Sequence, residues 1–122
     1  MKIDNDCKEA IDYFLTIDDE EKQQKVLEFW QRWGFTHTLD DVKNFVEQSK
    51  EMLSSISNNT EINSPELKTI LAVACFDYAK KLGKDISNCN RTEMSKIGNL
   101  RNKKLGIQAK AMDCLKSLST ER

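Results

Sequence analysis

The chain has 122 residues, enough for one domain that buries roughly two-thirds of its unfolded surface without covalent staples. Charged residues make up 32 % of it, yet the net charge is −1, which excludes a polycation that coats nucleic acid and a polyanion that mimics it. One proline and four glycines are too few for the many turns of a sheet protein, so the composition points to an all-α fold.

The first element is a helix over about 4–15, where Ile3, Cys7, Ile11 and Phe14 recur at helical spacing after a choice of caps among Asp4, Asn5 and Asp6. Thr16 and Asp19 then have the spacing of a capping box. Asp18, Asp19, Glu20 and Glu21 crowd the first turn of a second helix, where the positive end of the helix dipole favours carboxylates. This helix should run to about Trp33 and end at Gly34. Val26, Trp30 and Trp33 fall in its apolar arc and belong in a core, whereas Leu27 and Phe29 at the edges are candidates for exposure.

Thr38 and Asp41 repeat the capping spacing before the cleanest stripe in the chain, Leu39, Val42, Phe45, Val46, Met52, Leu53 and Ile56, which predicts a third helix. Residues 57–63 read as a polar loop, and Ser64-Pro65 as the cap and first-turn proline of a fourth helix over about 65–82, stopped by Gly83. Leu67, Ile70, Leu71, Ala74, Cys75, Tyr78, Ala79 and Leu82 share one broad face of it. Val73 and Phe76 stand outside that face. They are core if the helix is buried all round, and otherwise a contact patch framed by Thr69 and Lys80.

Asn90 with Glu93 caps the last segment, in which Ile97, Leu100, Lys104, Ile107, Ala111, Cys114 and Leu118 stay in 3-4 phase across Gly98 and Gly106. Unbroken phase predicts one long helix over 91–119, free to bend at its glycines. The expected architecture is a compact bundle of about five helices in a single domain over 1–122. A helix of about 44 Å is longer than such a domain is wide, so it must project or support a partner, a homodimer being one such arrangement.

The polar, acidic start lacks the apolar core of a signal peptide, and the longest apolar run, Ile70 to Phe76, falls far short of the roughly 20 residues that span a bilayer. The expected location is cytoplasmic, with no membrane contact. Cys7, Cys75, Cys89 and Cys114 form no close pair and His37 is distant from all of them, so neither a metal site nor a disulfide framework is expected, and no cofactor is implied. His37 is also the only imidazole, and it sits in the turn before the third helix. No phosphate-binding glycine loop, nucleophile elbow or metalloprotease motif occurs, so the expectation is a protein that is not an enzyme.

Charge is segregated along the chain. Residues 1–90 hold 11 Lys and Arg against 17 Asp and Glu, and residues 91–122 hold 8 against 3. In size, in the acidity of its first three-quarters and in its lack of catalytic motifs, the chain resembles small bacterial immunity proteins, antitoxins and phage-encoded inhibitors. That resemblance implies stoichiometric binding of another protein, a basic toxin or effector. The carriers would be Asp18, Asp19, Glu20, Glu21 and Glu28 of the second helix with Asp40, Asp41 and Glu47 of the third, acting by electrostatic steering and occlusion of a cationic groove. The second reading is a nucleic-acid-binding regulator using Arg91, Lys96, Arg101, Lys103, Lys104 and Lys110, although no aromatic residue follows Tyr78 to stack on bases. A third is a scaffold or chaperone subunit that buries Val73 and Phe76 in a partner.

Overall fold

A computed structural model describes residues 2–32, 38–57, 61–62 and 65–121, the side chains at 39, 49, 51, 52, 55, 65, 66 and 118–121 excepted. Five α-helices follow one another: α1 (Asn5–Thr16), α2 (Asp19–Arg32), α3 (Leu39–Ser55), α4 (Pro65–Ser87) and α5 (Met94–Glu121). The only extended pairing among the described residues is an isolated bridge between Lys2 and Glu61. The all-α bundle anticipated from composition and periodicity is therefore what the chain forms. Trp33, Gly34, His37 and Ser64, to which the sequence gives roles, lie outside the described residues.

α4 occupies the centre. It packs along α5 and also against α1 and α2, while α3 lies on α2 and α1, and α1 reaches α5. Ile70, Leu71, Ala72, Val73, Ala74 and Cys75 are six consecutive buried residues, so this stretch of α4 has no solvent side at all. Val73 is accordingly core, and Phe76 packs half-buried against it. The alternative patch loses its frame, because Thr69 is fully buried. Around α4 the core is completed by Cys7, Ala10, Ile11 and Phe14 of α1, Val26 and Trp30 of α2, Val42, Val46 and Leu53 of α3, and Ile107, Ala111 and Cys114 of α5. Leu27 and Phe29 are half-buried against this core rather than exposed.

The helix ends show which local signals prevail. Asp4 is the cap of α1, its carboxylate accepting from the Cys7 N–H at 2.9 Å. The Thr38–Asp41 capping box forms in full: Thr38 Oγ1 accepts from the Asp41 N–H at 3.2 Å and the Thr38 N–H donates to Asp41 at 3.0 Å. The Thr16–Asp19 spacing does not act as a box. Thr16 is the last residue of α1, its hydroxyl donating to the Tyr13 carbonyl at 2.6 Å, and α2 starts from Asp18, whose carbonyl accepts from the Lys22 N–H at 2.9 Å.

Gly83 does not stop α4, which continues to Ser87. A glycine inside a helix costs about 1 kcal/mol relative to alanine, and the packing of buried Leu82 and half-buried Ile86 outweighs it. The glycine also makes room: the Lys104 Nζ of α5 lies 3.3 Å from where a Gly83 Cβ would stand. α5 begins at Met94 rather than 91, after a turn in which the Asn90 N–H donates to Glu93 at 3.0 Å. It then runs unbroken through Gly98 and Gly106, as its seam requires. Fully buried positions end at Leu82 on α4 and resume at Ile107 on α5, so the far part of the α4–α5 hairpin extends past the core.

Candidate functional site

The acidic side chains to which the sequence assigns partner binding are all exposed, but they do not form one patch. Asp19, at the start of α2, takes a salt bridge at 2.6 Å from Lys50, late in α3, whereas Trp30, late in α2, packs its ring 5.4 Å from that of Phe45, earlier in α3. The two helices are thus antiparallel. Asp19 and Trp30 are about 16 Å apart along the axis, which separates Asp18–Glu21 from Asp40 and Asp41 at the opposite end of the pair. Glu47 joins the first group through Lys50 at 3.1 Å. Asp41 is engaged in its capping box, Glu21 pairs with Lys25 at 3.7 Å, and Glu28 accepts from Gln24 at 3.1 Å. Asp18, Glu20 and Asp40 make no ion pair among the described residues.

What gathers the first group is a lysine that the sequence reading overlooked. Lys22 is buried, and its Nζ donates to the Leu15 carbonyl at 3.2 Å, one of the unsatisfied carbonyls at the end of α1. A cation there is favoured by the negative end of the helix dipole, and the ammonium also lies 6.0 Å from the centre of the Phe14 ring. Lys22 and Lys50 both reach the Asp19 carboxylate, at 3.4 and 2.6 Å. The hydrogen bond from Lys50, with help from Lys22, holds the Asp19 carboxyl below the usual range, so it is a fixed anion at neutral pH. The signal for Lys22 was present as its position four residues after the Asp18 carbonyl, but only the α1–α2 corner gives that position a carbonyl to bind.

This corner is an open recess of about 670 Å³ lined by Leu15, Ile17, Asp18, Asp19, Lys22, Lys50 and Ser54. Leu15 and Ile17 are half-buried and apolar, while Asp18 and Asp19 stand exposed beside them, with Glu20 next in sequence. The arrangement suits a cationic side chain with an aliphatic stem, the stem on Leu15 and Ile17 and the charge against Asp18 and Glu20. A second, smaller groove of about 310 Å³ between α2, α4 and α5 is lined by Phe29, Val73, Phe76 and Leu115 together with charged side chains.

The basic residues of the last segment are dispersed. Lys103 pairs with Glu9 of α1 at 2.9 Å, and Lys110 with Asp4 at 2.7 Å. Both ammonium groups are held above the ordinary lysine range by those hydrogen bonds. Lys96 sits 3.6 Å from Glu93, and Lys104 is half-buried against Gly83, whereas Arg91 and Arg101 are exposed. Part of the cationic surplus of α5 is thus directed inward, onto α1.

All four cysteines are free; Cys7, Cys75 and Cys114 are buried, burial pushes the Cys114 thiol up to about 12, and the hydrogen bond with Cys7, with burial adding to it, raises the Cys75 thiol. No group of three or more His, Cys, Asp or Glu able to hold a metal ion occurs among the described residues, and no described helix is long and apolar enough to cross a membrane. Compared with family models, with curated proteins and with solved structures, the chain matches none.

Proposed function

We propose that this chain is a non-catalytic protein-binding protein of the stoichiometric-inhibitor type, working in the cytoplasm and taking a basic protein partner on the acidic corner of α1, α2 and α3. The observation that carries the reading is the recess itself: an apolar floor of Leu15 and Ile17 beside exposed carboxylates, two of which, Asp18 and Glu20, pair with no cation among the described residues. Asp19 and Glu47 are organised by Lys22 and Lys50 into a fixed charge array, which favours encounter with a cationic surface and fixes its orientation. Free thiols at all four cysteines fit a reducing compartment.

The test is charge reversal at the two carboxylates that hold nothing together internally. In surface plasmon resonance against a panel of basic nuclease domains, the Asp18→Lys/Glu20→Lys protein should associate about tenfold more slowly at low salt, with a smaller change in dissociation. Its circular dichroism spectrum should stay helical and its Tm fall by only a few degrees, since first-turn carboxylates contribute modestly. Absence of affinity for any basic protein, or affinity indifferent to the reversal, would remove the acidic corner as a binding face.

A further inference from the structure

The 3-4 seam of α5 that is apparent in the sequence faces inward: Ile107, Ala111 and Cys114 are buried, and Ile97, Leu100 and Lys104 half-buried. A second stripe lies on the opposite, outer side. The three most exposed large apolar side chains among the described residues are Met94, Leu105 and Met112, at 72, 64 and 49 %. All are on α5, spaced 11 and 7 residues apart, which returns each to the same side of a helix. With Gly98, Arg101, Ala109 and Lys116, also exposed, they occupy an arc of about 80° over about 33 Å.

Gly98 is the telling member. Nothing lies within 4 Å of where its Cβ would stand, so nothing inside the protein uses the missing side chain. A glycine there weakens α5 and leaves bare backbone on its outer side, the condition for another helix to approach closely. The charges on the stripe, Arg101 and Lys116, have no ion-pair partner among the described residues, unlike Lys103 and Lys110 on the inner side. Asp113 is the only acid among the described side chains of α5.

We propose that this outer stripe is a docking surface for an amphipathic helix of another protein, one whose apolar stripe is flanked by carboxylates. Met94, Leu105 and Met112 supply anchors at helical spacing, Gly98 and Ala109 let the backbones close, and Arg101 and Lys116 meet the carboxylates. A second copy is the poorer occupant, since it would set one cationic helix against another with a single acid on each. The stripe shares no residue with the acidic corner, so either reading stands or falls alone.

The test uses the full chain and a fluorescent synthetic helix with leucine at its a and d positions and glutamate at e and g, beside a twin carrying lysine at e and g. Fluorescence anisotropy should show binding of the glutamate peptide that weakens with added salt, and little binding of the lysine twin. Leu105→Glu should weaken binding at least tenfold with an unchanged helical spectrum, because that side chain is already exposed, and Arg101→Glu should shift preference toward the lysine twin. The proposal is overturned by equal binding of the two peptides, by binding of neither, or by sedimentation of the chain alone as a dimer that Leu105→Glu returns to monomer.

Discussion

Two alanine substitutions on one helix should behave differently, and the difference follows from what surrounds each glycine. Replacing glycine by alanine inside a helix gains about 1 kcal/mol from propensity and from the narrower unfolded ensemble. For 122 residues, at roughly 2.1 cal/mol/K of unfolding entropy per residue, 1 kcal/mol corresponds to a Tm change of about 4 °C. At Gly98 the new Cβ meets nothing within 4 Å, so Gly98→Ala should deliver the whole gain. At Gly106 it would stand 3.0 Å from Oδ2 of Asp6 on α1, closer than a Cβ ordinarily comes to a neighbour. The Asp6 carboxylate must swing aside, and Gly106→Ala should recover less than half of the gain. Thermal unfolding followed by far-ultraviolet circular dichroism separates the two. Equal gains would show that α1 does not lie against α5 at Gly106, and a lower Tm for Gly98→Ala would show that α5 is not one helix through that point.

Lys104→Leu should raise the Tm by a few degrees, because a half-buried lysine with no ion-pair partner among the described residues is exchanged for an apolar side chain in the inner seam; a fall would mean that the lysine is structurally required beside Gly83. Asp4 supplies a pH dependence. Partial burial opposes its ionisation, but the hydrogen bonds from Lys110 and from the Cys7 N–H outweigh that, and its folded pKa lies below the ordinary value. The contribution is therefore present above the unfolded pKa of about 3.9 and is lost as pH falls through the folded value. Urea midpoints of the native protein and Asp4→Asn should differ most near neutral pH and converge once pH falls below the folded value.

Periodicity and caps exposed much of this architecture in advance where a signal had no competitor. Thr38 and Asp41 form both bonds of their box, and the α5 seam kept its phase because Leu100, Ile107, Ala111 and Cys114 pack into the core. Where two local solutions are nearly equal, the spacing misleads. Thr16 has the geometry of a cap for α2, but its hydroxyl also reaches the Tyr13 carbonyl, and α1 claims it. Gly83 has the residue type of a stop, but tertiary packing on both sides of it is worth more than the propensity lost. The acidic residues could be named from the sequence, yet their division between opposite ends of the α2–α3 pair depends on Lys50 meeting Asp19, a contact across 31 positions. The outer stripe of α5 escaped notice because Met94, Leu105 and Met112 are too widely spaced to register as a pattern until burial separates the two sides of the helix.

The position of α4 also governs the order in which the chain can become whole. Its middle, Ile70 to Cys75, is uncovered on one side until α5 arrives, and α5 follows it in the chain. α1, made before α4, likewise waits for Lys103 and Lys110 to meet Glu9 and Asp4. A nascent chain therefore carries its most apolar segment exposed through the synthesis of some thirty further residues, the interval in which chaperone contact or aggregation competes with folding. Once α5 closes over α4 and α1 together, α1 and α5 are joined through the same core.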